Sequence, residues 1–247
     1  MEIDPRLASL LNRRSVSPKR LGMPGPTPEE LNVMVDAALS APDHGALQPW
    51  RLIAFPAVLR GRLADVFEAE KRRRDPLASP SDLERARQHA TSAPVVLAFV
   101  IRPCRNVAVP VHEQWLCAGA ALGQLLLCAH YMHYGAIVLS GERCADEPLR
   151  TALGVEEHET LAGFVSMGSI VKASPAPCRP SRERVLSTWT PQGSAVTTGK
   201  HGRSGPVEGA EAARGFSGRS TSSRRFGHNA LPDEVGLWKR HERPESE

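Results

Sequence analysis

The chain has 247 residues, is 41% hydrophobic and 23% charged, and carries a formal net charge of +4 with a pI near 9.0. That permits one good-sized domain with a real core, or one domain plus an appendage, and its mild basicity favours anionic ligands without demanding nucleic acid. The five cysteines (Cys104, Cys117, Cys128, Cys144 and Cys178) include no CxxC pair, which excludes a disulfide scaffold and a zinc site and points to a reducing, cytoplasmic setting.

Met1-Glu2-Ile3-Asp4-Pro5 has no basic region leading into an apolar run, so a secretory signal is not expected. Asp4 can cap a helix with Pro5 at its first position, and Leu7, Leu10 and Leu11 form an i, i+3, i+4 stripe. This helix should end near Asn12-Arg13-Arg14-Ser15. The two arginines there either complement the helix dipole or, with Ser15, make a bidentate phosphate grip. Residues 16–26 are a Pro/Gly loop. Thr27-Pro28-Glu29-Glu30 is a capping box opening a helix through Leu31, Met34, Val35 and Ala38.

That helix delivers the stretch Ala41-Pro42-Asp43-His44-Gly45-Ala46-Leu47-Gln48-Pro49-Trp50. Pro42 ends the helix, Pro49 should push Gln48 into an extended conformation, and Gly45 permits close backbone approach. The loop is either an ordinary turn or a holder for a flat polar ligand. Trp50–Phe55 reads as a strand, residues 57–74 as a helix ending in Lys71-Arg72-Arg73-Arg74, and a polar helix starts at Ser81 or Asp82. The lysine–arginine run is either an anion patch or a solvated helix end favoured by the dipole.

Pro94–Ile101 is apolar throughout, predicting a strand buried on both faces. Residues 112–134 form a long apolar helix. Gln124, His130 and His133 argue against a membrane span, and Gly119 and Gly123 offer a small-residue face for an internal or a subunit contact. Strands follow at 135–139 and 161–168, with a helix at 146–153 closed by Gly154. From residue 190 the composition turns to Gly, Ser, Arg and Pro without periodicity. Residues 1–189 are therefore the expected domain, and 190–247 a disordered tail.

The ordered set Asn12-Arg13-Arg14-Ser15, Ala41-Pro42-Asp43-His44, Gln48-Pro49-Trp50, Ile137-Val138-Leu139-Ser140-Gly141 and Phe164-Val165-Ser166-Met167-Gly168 resembles the FMN-dependent nitroreductases, in particular their short bacterial NAD(P)H subgroup. The resemblance covers about residues 3–189. It implies an α+β fold in which a mostly antiparallel sheet is wrapped by helices, and a homodimer with a long helix in the dimer core and FMN held non-covalently at the interface. Carried over by position, Arg13, Arg14 and Ser15 would meet the FMN phosphate and ribityl chain. His44 and Gln48 would lie near the flavin, Val138, Leu139 and Ser140 would line its ring, and Cys128–His133 would fall at the nicotinamide nucleotide. Ser40 stands where many members carry an arginine reaching FMN from the partner subunit, and Val138-Leu139 is more apolar than usual.

The resemblance further implies ping-pong reduction of nitroaromatic or quinone-like acceptors by NAD(P)H, with hydride transfer through the flavin and no protein nucleophile; the sequence marks no residue as general acid or base, and no metal is expected. Neither nucleic acid nor a membrane is an expected partner. A flavin-binding protein without turnover, and an anion- or nucleic-acid-binding protein, are the competing readings.

Overall fold

The computed structural model describes residues 4–175 and 179–189. One compact unit spans Met1–Arg179. The second, Pro180–Glu247, is described over its first ten residues, which hold a 3-10 turn at Arg182–Arg184. The predicted disordered tail, 190–247, lies outside the described residues.

In chain order the elements are α1 (Pro5–Asn12), β1 (Leu21–Gly22), α2 (Pro28–Leu39), β2 (Trp50–Ala54), α3 (Arg60–Arg74), α4 (Pro80–Thr91), β3 (Val95–Ile101), α5 (Val111–Tyr131), β4 (Tyr134–Leu139), α6 (Glu147–Ala152) and β5 (Thr160–Ile170). The sheet runs β2–β3–β5–β4, with β1 paired to the end of β5, and every pairing is antiparallel. This is the α+β arrangement expected from the sequence.

The continuous apolar run of β3 is explained by two cores, one on each face. Leu97, Phe99 and Ile101 point into a core with α2 and α5, while Val96, Ala98 and Val100 point into a second core built on α3, α4 and α6. On β5, Val165 and Met167 serve the first core and Phe164 the second. A register shift opposite Phe99/Val100 places one extra residue, Ala162, on β5, so Leu161 turns into the second core.

The Thr27 capping box forms as expected: Glu30 N–H donates to Thr27 Oγ1 at 3.2 Å and Thr27 N–H to Glu30 Oε2 at 2.8 Å. Helix α4 begins earlier than the predicted Ser81 or Asp82. Ser79 caps it, with Asp82 reaching back to the Ser79 N–H at 3.3 Å and Pro80 at the first position.

Helix α5, apolar nearly throughout, is buried along one face only. Gln114, Cys117, Ala118, Ala121, Leu125 and Ala129 are buried, but Leu116 is 70% exposed and Gly119 and Gly123 face outward. A Cβ added at either glycine would meet nothing within 4 Å. Among the described residues the small-residue face therefore makes no internal contact. The Leu7, Leu10, Leu11 stripe of α1 is likewise 41–57% exposed.

Candidate functional site

The residues singled out by sequence fall into two groups at opposite edges of the sheet. The first lies along β4. Val16 N–H donates to Ala136 O at 3.0 Å, which places Arg13-Arg14-Ser15 beside this strand. Arg14 Nη1 donates to Ser174 O at 2.9 Å, and Arg179 Nη2 donates to the carbonyls of Leu11 (3.1 Å) and Arg13 (2.8 Å). The half-buried Arg13 guanidinium has no partner among the described residues. Arg20 adds a further cation, bonded to Ala173 O. Sequence reasoning missed both Arg179 and Arg20, which no motif marks.

At the far end of β4, Leu139 and Ser140 line a cavity of about 240 Å³ with Phe67, Phe164, Arg143 and Cys144. Gly141, at φ 120°, turns the chain out of it, a conformation that suits glycine. Arg143 lies 4.2 Å from the Phe67 ring centroid, and its Nε donates to the fully buried Glu70 at 3.2 Å.

The second group sits in the loop between α2 and β2. Three consecutive sheet spacings separate β2 from β4, about 14 Å across the strands. Gly45, Ala46 and Gln48 all adopt positive φ (79°, 50° and 46°). Gln48 is thus left-handed rather than extended as Pro49 suggested. The Asp43 carboxylate accepts the Gln48 N–H at 2.7 Å and closes the loop on itself, which overrides the preference of a residue before proline. Asp43, Gln48, Trp50 and Cys117 line a cavity of about 240 Å³. Burial, with the Asp43 carboxylate adding to it, pushes the Cys117 thiol up to about 11, so it is not a thiolate nucleophile at neutral pH.

His44 Nδ1 pairs with Glu113 Oε2 at 2.8 Å in the first turn of α5. Ser40, the helix C-cap, shares its hydroxyl between Ala37 O (2.8 Å) and Gln124 Oε1 (2.9 Å). Both partners on α5 escaped the sequence reading, since nothing local announces contacts 69 and 84 residues away along the chain. Cys128–His133 close α5, where His130 Nε2 bonds Ser9 O at 2.9 Å and joins α5 to α1.

The Lys71–Arg74 run is spent on ion pairs. Lys71 meets Asp75 at 2.7 Å, Arg72 meets Glu68 at 2.7 Å, Arg73 meets Asp146 at 2.6 Å and Arg74 meets Glu70 at 2.5 Å. Among the described residues there is no cluster of three potential metal ligands, and no helix is long and apolar enough to cross a membrane.

Comparison with known proteins identifies the family. The Escherichia coli K12 protein named "Putative NAD(P)H nitroreductase YdjA" is 32% identical over 166 residues, covering 66% of this chain and 87% of that protein. The nitroreductase-like family protein from Bacillus cereus superposes with a TM-score of 0.65 at 16% identity, covering 76% of this chain and 98% of the other. The NADPH:FMN oxidoreductase of Vibrio harveyi, solved with NAD+, superposes at 0.58 and 18% identity, covering 76% and 78%. The family model described as "Nitroreductase family" matches residues 10–169, spanning all five strands but β5's last residue, and this chain belongs to that family.

Proposed function

We propose that this protein is an FMN-dependent NAD(P)H oxidoreductase that works as a homodimer and reduces small electron-poor acceptors such as nitroaromatics or quinones by a ping-pong cycle. The observation that carries this reading is the Arg13 guanidinium beside β4, which has no partner among the described residues. A half-buried cation with five donors and no acid is suited to a phosphate. Among the described residues β4 pairs with β5 and with no other strand, so alternate backbone groups at Val138–Ser140 remain open toward a polar ring.

The residues present therefore fit FMN: Arg13, Arg14 and Ser15 for the phosphate and ribityl chain, and Val138, Leu139 and Ser140 against the ring. When bound, FMN supplies the redox chemistry, and the protein supplies position and electrostatics. Backbone N–H groups at the β4 edge would stabilise negative charge on the ring, and the apolar Val138 and Leu139 would exclude water from it. Within one chain, His44 and Gln48 lie at the other edge of the sheet from that group, three strand spacings away. A second copy packed against the outward face of α5 would bring its own α2–β2 loop, with Ser40, His44 and Gln48, to the β4 edge of the first. Supporting this is the apolar, small-residue character of that face, with Leu116, Gly119 and Gly123 exposed. The free thiols among the described cysteines fit a reducing, cytoplasmic setting.

The absorption spectrum of the purified protein tests the reading. The expected result is a flavin spectrum, released FMN, and NAD(P)H oxidation with a nitroaromatic or quinone. Bound flavin without turnover would favour a protein that only holds FMN. A colourless protein that refuses added FMN would end both readings. The ion pairs that neutralise Lys71–Arg74 count against an anion- or nucleic-acid-binding protein built on that run.

A further inference from the structure

A third cavity, of about 450 Å³, lies beside the α2–β2 loop and is lined by Leu47, Arg102, Pro103, Cys104, Arg105 and His158. No acid is among these residues. Arg102 and Arg105 have no acidic partner among the described residues, and the nearest carboxylate to His158 is Glu156, at 3.4 Å from Nδ1. Two guanidiniums left unneutralised in one cavity contrast with the Lys71–Arg74 run, where every cation is paired.

The loop carrying these arginines is held in place from several sides. Arg102 N–H donates to Pro49 O at 2.9 Å, and Cys104 Sγ donates to Leu47 O at 3.7 Å, joining the cavity to the α2–β2 loop. The buried Gln114 of α5 accepts the Cys104 N–H at 2.7 Å and donates to the carbonyls of Cys104 (3.2 Å) and Val109 (3.0 Å). A buried amide satisfied entirely by one loop fixes the shape of that loop, so the arginines are presented on a scaffold set in advance. Asn106, at φ 60°, makes the turn between them and α5.

We propose that this cavity is an anion subsite that takes the phosphates of the nicotinamide nucleotide during reduction of the flavin. Arginine forks match phosphate oxygens, and the cavity adjoins Leu47, one residue from Gln48 of the flavin-facing loop. The assignment rests on the reading of the protein as an NAD(P)H oxidoreductase and deepens it. It gives the nucleotide a site at the first-turn end of α5, away from Cys128–His133 at the other end.

The test is the double variant Arg102→Gln/Arg105→Gln in the full-length protein, with Gln114 left intact to hold the loop. Flavin content and melting temperature report whether the variant is sound. The expected result is a KM for NADPH raised on the order of tenfold or more, with kcat little changed and the wild-type sensitivity of KM to salt reduced. Calorimetric titration of NADP+ into wild type and variant needs no turnover and should show the same loss. It therefore separates failure of the subsite from failure of the catalytic reading. Nucleotide KM and NADP+ affinity within twofold of wild type would overturn the proposal. So would an effect confined to a carboxylate-bearing acceptor such as 4-nitrobenzoate, with nitrobenzene and the nucleotide unaffected.

Discussion

The two edges of the sheet differ in how their charges are used. Along β4, Arg13 has no partner among the described residues and Arg14 spends one nitrogen on a backbone carbonyl. At the β2 edge the polar groups are largely spent on one another: Asp43 on the Gln48 N–H, His44 on Glu113, and Ser40 on Gln124. One edge keeps guanidinium donors free among the described residues, and the other is a pre-shaped surface. Helix α5 turns small residues outward. Under the proposed function the difference is that between two halves of one site, which a second copy would join.

The largest effect should come from blocking that junction. Gly119→Arg places a long cation where an added Cβ meets nothing within 4 Å, and it removes a helix glycine, so the single chain should fold at least as well. Light scattering should show a monomer, and the flavin absorbance should be nearly lost. A dimeric, fully loaded variant would show that the two edges do not meet across α5.

Next comes the proposed phosphate grip. Arg13→Ala should weaken FMN binding by about ten- to a hundredfold, the worth of one or two charge-assisted hydrogen bonds. Arg14→Ala should do less to flavin affinity, because Arg14 Nη1 already bonds Ser174 O. Equal flavin affinity in both variants and the wild type, by fluorescence titration, would remove the distinction drawn between the edges.

At the β2 edge, Asp43→Ala should release the Gln48 N–H and destabilise the loop by about 1–3 kcal/mol, the cost of an unsatisfied donor. Amide exchange over residues 43–49 should accelerate while β3 stays protected. A neighbouring pair behaves differently with pH. Arg51 holds the Glu159 carboxyl below its ordinary value of 4.5 through hydrogen bonds of 2.6 Å. A lowered acid stabilises the fold above its unfolded pKa, and that contribution disappears as the pH falls through the folded value. Glu159→Gln should therefore melt lower than wild type at pH 7, with the gap closing below about pH 4. The smallest effect should come from truncation after Trp189. Flavin content and activity should persist, because the compact unit ends at Arg179 and the family match at residue 169.

Much of the fold was legible because it is written in local chemistry. The Thr27–Glu30 box, the Gly154 cap at φ 66°, and the apolar run of β3 each specify their own structure. What stayed hidden depends on long-range partners. Leu7, Leu10 and Leu11 give a stripe, but periodicity does not say what the stripe faces, and here it faces outward. Pro49 alone predicts an extended Gln48, and the Asp43 carboxylate decides its conformation instead. The motif residues were visible one by one, but their division between two sheet edges follows from strand order, which spacing along the chain does not reveal.

Subunit complementation tests the central claim most directly. One variant carries Arg13→Ala/Arg14→Ala and the other His44→Ala/Gln48→Ala, and each alone should bind little flavin. In a mixed dimer of the two, a site built from the edges of different copies is intact at one of its two positions. Mixing should therefore restore flavin to about half of the sites in those mixed dimers. If mixed dimers form and no flavin returns, each site lies within a single chain and the account of two joined edges is wrong.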